Sequence, residues 1–210
     1  MVWDTSTPVV ARPHTPVLIH LKDPSCFPSR PQFPISHTHC EGLQPIVNQL
    51  LIQGFLVPTN SPRNTPILAV RKPSGAYRLV QDLWIINSAV VLLHPVVPNP
   101  YALLSQIPPT TTHFTVLDLK DAFFNIPLHP DSQLLFAFTW EESDTHQTQQ
   151  LIWTVLPQGF CHSPHLFGQA LARDLSLYDS GCSTLLHYVD DLLLCSPSKK
   201  NLPPRHSLPP

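Results

Sequence analysis

Charge is scarce in this sequence. Asp, Glu, Lys and Arg make up 12% of 210 residues, with a net charge of −2 and a pI near 6.6. Without a basic excess there is no overall field to hold a polyanion, so nucleic-acid contact has to come from a local cluster. Long apolar runs are missing too: nowhere do about eighteen apolar residues follow one another, which argues against a membrane-spanning helix. Residues 1 to 20 lack a basic start followed by an apolar core, so no secretory signal is read. A soluble, intracellular chain, in the cytoplasm and without a membrane partner, is the expectation. No Cys-x-x-Cys pair occurs, and the five cysteines, Cys26, Cys40, Cys161, Cys182 and Cys195, leave one unpaired in any disulfide scheme. That suits a reducing compartment and structural thiols.

Proline, by contrast, is abundant, at 26 residues beside a 42% hydrophobic content. Many connections and few long helices should follow. His37-Thr38-His39-Cys40 is the one local cluster with zinc-like residues, but no second ligand pair stands at a useful spacing in the sequence, so metal binding is not expected there.

Tyr188-Val189-Asp190-Asp191 sets two adjacent carboxylates between Leu185-Leu186 and Leu192-Leu193-Leu194. The pattern reads as two short apolar strands joined by a tight acidic turn. An Asp-Asp turn alone is weak, because Asp bonds its own backbone in many turns. Acids flanked by buried strands nevertheless call for positive charge, and hard divalent cations prefer carboxylate oxygen. Asp118 supplies a third acid at the end of Phe114-Thr115-Val116-Leu117-Asp118-Leu119, where alternation puts Val116 and Asp118 on one face and Leu117 and Leu119 on the other.

These two stretches, with Lys120-Asp121-Ala122-Phe123-Phe124 after the second and Leu156-Pro157-Gln158-Gly159-Phe160 and Ser163-Pro164 between them, resemble the palm of retroviral reverse transcriptases, closest to the gammaretroviral type. The resemblance implies an α+β fold of fingers and partial palm, a right-hand polymerase without its thumb. It implies RNA-directed DNA polymerase chemistry, nucleotidyl transfer from a deoxynucleoside triphosphate to a primer 3′-hydroxyl on an RNA or DNA template. Asp118, Asp190 and Asp191, with the Leu119 carbonyl, would carry two Mg²⁺ (or Mn²⁺) ions, and their carboxyl groups should converge to roughly 4 to 6 Å. Lys72 and Arg78 would grip the triphosphate, Asp121 and Ala122 would offer it backbone N–H groups, Phe123 would lie under the sugar and exclude a 2′-hydroxyl, and Gln158 would stand near the incoming nucleotide. From the residues alone, Phe123 and Phe124 read more simply as core aromatics.

The rest of the chain fits around this. Residues 1–40, rich in proline, read as an extended lead-in whose one strand-like piece is Val17 to Leu21. By the resemblance, residues 41–196 would be the reverse transcriptase domain, fingers and partial palm, beginning with a helix from Pro45 to a stop at Gly54. Ile67 to Lys72 and Tyr77 to Asp82 form a hairpin about Pro73-Ser74-Gly75-Ala76. Arg63, Arg71, Lys72 and Arg78 put four of the chain's 12 Lys and Arg residues here. Asp82-Leu83-Trp84-Ile85-Ile86-Asn87 departs from the family's pattern by placing Trp84 and Ile85 where an Arg and a Glu are usual; Trp84 retains a ring able to stack on a base, and Ile85 has no such use. Cys161-His162 likewise replaces a Lys-containing pair. His94-Pro95 to Tyr101 reads as the link into the palm, and Ala102-Leu103-Leu104 as a short helix. Ser163 reads as an N-cap of a scaffolding helix with Leu166, Phe167, Ala170, Leu171 and Leu175 on one stripe, ending near Ser180-Gly181.

Likeness at the level of motifs runs from 56 to 198, and residues 197–210 read as a proline-rich divergent tail without fixed structure. The expectation is a truncated endogenous-retrovirus Pol product, inactive as a lone chain. Two classes therefore stay open: a reverse transcriptase, and a non-catalytic relic that binds nucleotide or nucleic acid weakly.

Overall fold

A computed structural model describes residues 14–93, 99–177 and 181–198. In chain order its helices and strands are α1 (His37–Ile52), β1 (Leu56–Thr59), β2 (Ile67–Arg71), β3 (Tyr77–Gln81), α2 (Trp84–Ala89), α3 (Pro100–Leu104) and β4 (His113–Asp118). They continue with α4 (Pro130–Gln133), β5 (Phe138–Glu141), β6 (Thr148–Trp153), α5 (Ser163–Ser176), β7 (Thr184–Tyr188) and β8 (Asp191–Ser196). The chain divides into two interleaved units, one built from Thr15–Leu93 and Ile126–Ser163, the other holding β4, β7, β8 and nearly all of α5. This α+β arrangement, in which one unit precedes and interrupts the other, is the order expected of fingers and palm.

In the first unit, α1 starts at His37, eight residues before the expected Pro45, which sits inside the helix. A proline there removes one backbone hydrogen bond and costs about 3 kcal/mol. Cys40, Leu43, Val47 and Leu50 are buried along one stripe, and each large apolar side chain contributes about 1.5–3 kcal/mol, which outweighs it. The stop falls as expected: Gly54 has φ +72, its N–H bonds the Leu51 carbonyl at 3.0 Å and Phe55 N–H bonds that of Leu50 at 2.9 Å, the Schellman closure that glycine permits. At Gly42 the helix passes so close to β3 that a Cβ would collide with the Tyr77 ring.

Strands β1, β6 and β5 form an antiparallel sheet in that order, and β2 and β3 pair as the expected hairpin from Ile67↔Gln81 to Arg71↔Tyr77. Phe138 and Trp140 of β5, Leu151 of β6, and Phe136 and Phe160 are buried in this unit. Gln81 ties this core together: its amide donates to Thr65 Oγ1 at 2.7 Å and the Phe136 carbonyl at 3.1 Å, and its oxygen accepts from Trp153 Nε1 at 2.8 Å. The lead-in is less independent than its prolines suggest. Gln32 exchanges two hydrogen bonds with the Ile67 backbone, at 2.9 and 2.8 Å, and Val17 and Leu21 make only isolated bridges, to Leu128 and Val90, rather than a strand.

In the second unit β8 lies between β4 and β7, antiparallel to both. Phe167 and Ala170 of α5 are buried, and the expected stripe holds. The cap differs: Ser163 is the first helical residue, and its hydroxyl donates to the Pro157 carbonyl at 2.9 Å instead of capping the helix. The helix ends at Ser176, short of the expected Ser180. His94-Pro95, Val97-Pro98 and most of the 197–210 tail lie outside the described residues.

Candidate active site

The acidic corner is built by strand register. β4 ends on Asp118, β8 begins on Asp191, and the two are direct cross-strand partners, with Val116 opposite Leu193 and Phe114 opposite Cys195 on the same face. Tyr188 pairs with Asp191, so the β7–β8 connection is the two-residue turn Val189-Asp190. Such hairpins need positive φ in the turn, ordinarily supplied by glycine or asparagine. Here Val189 takes φ 55, a conformation costing a β-branched residue about 1–3 kcal/mol and found mostly where function holds it in place. The Leu119 N–H, just past β4, donates to the Asp190 carbonyl at 3.2 Å, which extends the ladder into the turn. Asp118, Leu119, Asp190 and Asp191 are thus gathered at one end of one sheet.

Asp118 and Asp191 are exposed and Asp190 is half-buried. Among the described residues none of the three is in an ion pair, and no group of three His, Cys, Asp or Glu side chains is arranged as a ready metal cage. The backbone brings the Cα atoms of the three to one corner of the sheet. Like charges on directly opposed residues repel. The donor set itself, three carboxylates and a peptide carbonyl, is all oxygen and fits a hard divalent cation.

Immediately after β4 the backbone turns at Asp121, with φ 54, into a 3₁₀ segment at Ala122–Asn125. The first N–H groups of such a turn have no partner within it, which is where Asp121 and Ala122 lie. Phe123 is half-buried with its ring edge-on to Phe167 at 5.9 Å. That contact bears out its reading as a packed aromatic and leaves part of the ring open.

The remaining candidates belong to the other unit. Arg78 stands opposite Val70 in the β2–β3 pair, and with Arg71, Lys72, Pro73 and Ser74 these residues line an open groove of about 520 Å³. The hairpin closes through Lys72 N–H to the Ala76 carbonyl at 2.7 Å, with Gly75 at φ +87. Gln158 is exposed on the turn before Gly159, whose φ is +90. Asn87 clamps that turn from both sides: its amide donates to the Gly159 carbonyl and its oxygen accepts from Cys161 N–H, each at 3.0 Å. Nothing local in the sequence marks Asn87 for this role, since its partners lie more than seventy positions away. Trp84, 69% exposed, opens the same helix.

Residues 70–207 match the family described as reverse transcriptase (RNA-dependent DNA polymerase). The chain is 46% identical over 205 residues to the Gag-Pol polyprotein of Koala retrovirus, covering 96% of this chain and 12% of that one. It is 49% identical over 189 residues to the Gag-Pol polyprotein of Woolly monkey sarcoma virus, 89% of this chain and 11% of the relative. It is 49% identical over 193 residues to the Pol polyprotein of Feline endogenous virus ECE1, 90% and 18% respectively. Among solved structures, the prototype foamy virus protease-reverse transcriptase superposes with a TM-score of 0.68 at 33% identity, over 88% of this chain and 24% of that chain. The likeness reaches beyond the span read from motifs, into the lead-in and to residue 207 of the tail. The chain spans less than a fifth of the length of these polyproteins. It belongs to the reverse transcriptase (RNA-dependent DNA polymerase) family, as a segment of gammaretroviral-type Pol comprising fingers and part of the palm.

Proposed function

We propose that these residues form the nucleotide-addition corner of an RNA-directed DNA polymerase acting on template–primer and deoxynucleoside triphosphates. The observation that carries the reading is the register of Asp118 against Asp191 beside a strained Val189-Asp190 turn. The proximity of three carboxylate-bearing residues at a sheet end, beside a turn of unfavourable φ, supports a cation-binding role. Asp118, Asp190 and Asp191, with the Leu119 carbonyl, would hold two Mg²⁺ or Mn²⁺ ions. When bound, such ions lower the pKa of the attacking hydroxyl and neutralise charge on the triphosphate. Lys72 and Arg78 hold the triphosphate by charge-assisted hydrogen bonds, the Asp121 and Ala122 amides cradle it, Phe123 bars a 2′-hydroxyl, and Gln158 orients the nucleotide on the turn fixed by Asn87.

The reading includes a reducing, cytoplasmic setting, supported by five free cysteines; no helix among the described residues is long and apolar enough to cross a membrane. The second reading, a non-catalytic binder, is favoured by Trp84 and Ile85, which replace two polar anchors of the template. Mn²⁺-dependent binding of dTTP to wild type and to Asp190→Asn tests the site. Loss of binding in the variant is expected, and equal binding by both sinks the assignment. Incorporation of dTTP on primed poly(rA) above the variant's background separates polymerase from relic.

A further inference from the structure

The β7–β8 turn contributes two peptide carbonyls, and each has a donor. Leu119 N–H reaches the Asp190 carbonyl at 3.2 Å, and His187 Nε2 reaches the Val189 carbonyl at 2.8 Å. A carbonyl only accepts, so Nε2 carries the proton and the tautomer is fixed. Peptide groups are rigid planes. Holding the Val189 carbonyl sets the plane leading into Asp190, and holding the Asp190 carbonyl sets the plane leading into Asp191. Both restraints act on a β-branched residue at φ 55 that relaxes toward negative φ if released. The imidazole is half-buried and faces α5 near Gly168, lining an open groove with Ala172 and Leu175, so the hydrogen bond to Val189 is the contact that fixes the ring's direction.

We propose that His187 is a positioning residue for the acidic pair: its Nε2–H holds the Val189 carbonyl and, with Leu119 N–H, locks the strained turn in the conformation that presents Asp190 and Asp191 beside Asp118. This rests on the metal-site reading above and extends it to a side chain on the far face of the sheet from Asp191, since His187 pairs with Leu192. His187 acts through the backbone and touches neither ion nor nucleotide.

The test compares wild type with His187→Gln, which keeps a donor, His187→Leu, which removes it, and Asp190→Asn. Amide hydrogen exchange is measured on the metal-free chain over residues 188–192, and Mn²⁺ affinity by electron paramagnetic resonance. Losing one hydrogen bond should speed exchange at the Asp190 and Asp191 amides about five-fold in His187→Leu and weaken Mn²⁺ by a similar factor, with His187→Gln staying within about two-fold of wild type. Wild-type exchange and affinity in His187→Leu overturn the proposal, as does a Gln variant behaving like the Leu variant, which would make ring packing the whole effect. Should His187→Leu fail to fold, the wild-type imidazole tautomer read by nitrogen NMR decides: Nε2–H supports the clamp and Nδ1–H overturns it. Mn²⁺ bound equally by wild type and Asp190→Asn, with the exchange differences intact, sinks the metal reading while supporting the clamp.

Discussion

Asp118 and Asp191 face each other directly across β4 and β8 at the one end of the sheet where the chain turns, so two carboxylates share a face without a paired cation among the described residues. Such opposition costs about 0.2–1 kcal/mol in the metal-free protein. Asp191→Asn should therefore leave stability equal or slightly higher in urea denaturation while Mn²⁺ affinity falls by about ten-fold or more. Destabilisation of the metal-free chain by the variant would show that Asp191 has a structural partner instead.

Val189 offers the complementary test, of strain rather than charge. Glycine adopts φ near +55 without penalty, so Val189→Gly recovers the roughly 1–3 kcal/mol held in the turn, set against lost packing and a freer unfolded chain. The net effect should be neutral or stabilising by up to about 1 kcal/mol, unlike a valine-to-glycine change in an ordinary strand. A loss beyond about 2 kcal/mol would contradict strain at this position.

The acidic corner was legible in the sequence because it depends on contiguous signals: alternation in β4, apolar flanks around Asp190-Asp191, and a two-residue spacing between strands. The β2–β3 hairpin was legible for the same reason, through Gly75 and its flanking runs. The start of α1 was not. Pro45 carries a strong local rule for a first helical turn, and the burial of Cys40, Leu43, Val47 and Leu50 overrides it. Asn87 escaped because its role exists only through partners more than seventy residues distant, and Gln81 because two of its three partners, Phe136 and Trp153, lie on other elements far along the chain. His187 escaped differently, since its partner is two residues away but the bond forms only once Val189 turns.

Gln81 illustrates what such distant partners are worth. Its side chain makes three hydrogen bonds in a site 7% exposed. Gln81→Leu removes all three at once and should cost about 2–4 kcal/mol, read as a lower urea midpoint with altered Trp153 fluorescence. A cost under about 1 kcal/mol would mean that the network rearranges freely.

Cysteine reactivity should rank by thiolate character as well as by exposure. Cys26, Cys161 and Cys182 are all exposed, yet burial of the sulfur pushes the Cys161 thiol up, and backbone hydrogen bonds and Lys22 offset this only in part. The thiolate is the nucleophile, so at about pH 8 iodoacetamide should label Cys26 and Cys182 before Cys161, with Cys161 catching up as pH rises. Mass spectrometry of a labelling time course settles the order, and fastest labelling at Cys161 would reverse it.

Trp84 and the β2–β3 hairpin should contribute to nucleic-acid binding in ways that salt separates. Lys72 and Arg78 act as charges: removing either releases about one fewer counterion, weakens binding across sequences and lowers the slope of affinity against salt by about 0.7–0.9. Trp84 is 69% exposed with no charge of its own, and a stacked base contributes about 1–3 kcal/mol through its ring face. Trp84→Ala should therefore weaken binding of a single-stranded RNA or DNA overhang by about ten-fold while leaving the salt slope unchanged. Fluorescence anisotropy with labelled template–primer at several salt concentrations resolves the two. If Trp84→Ala binds as wild type does, the ring does not replace the family's arginine, the template end of the site has lost its anchor, and the non-catalytic reading gains over the polymerase.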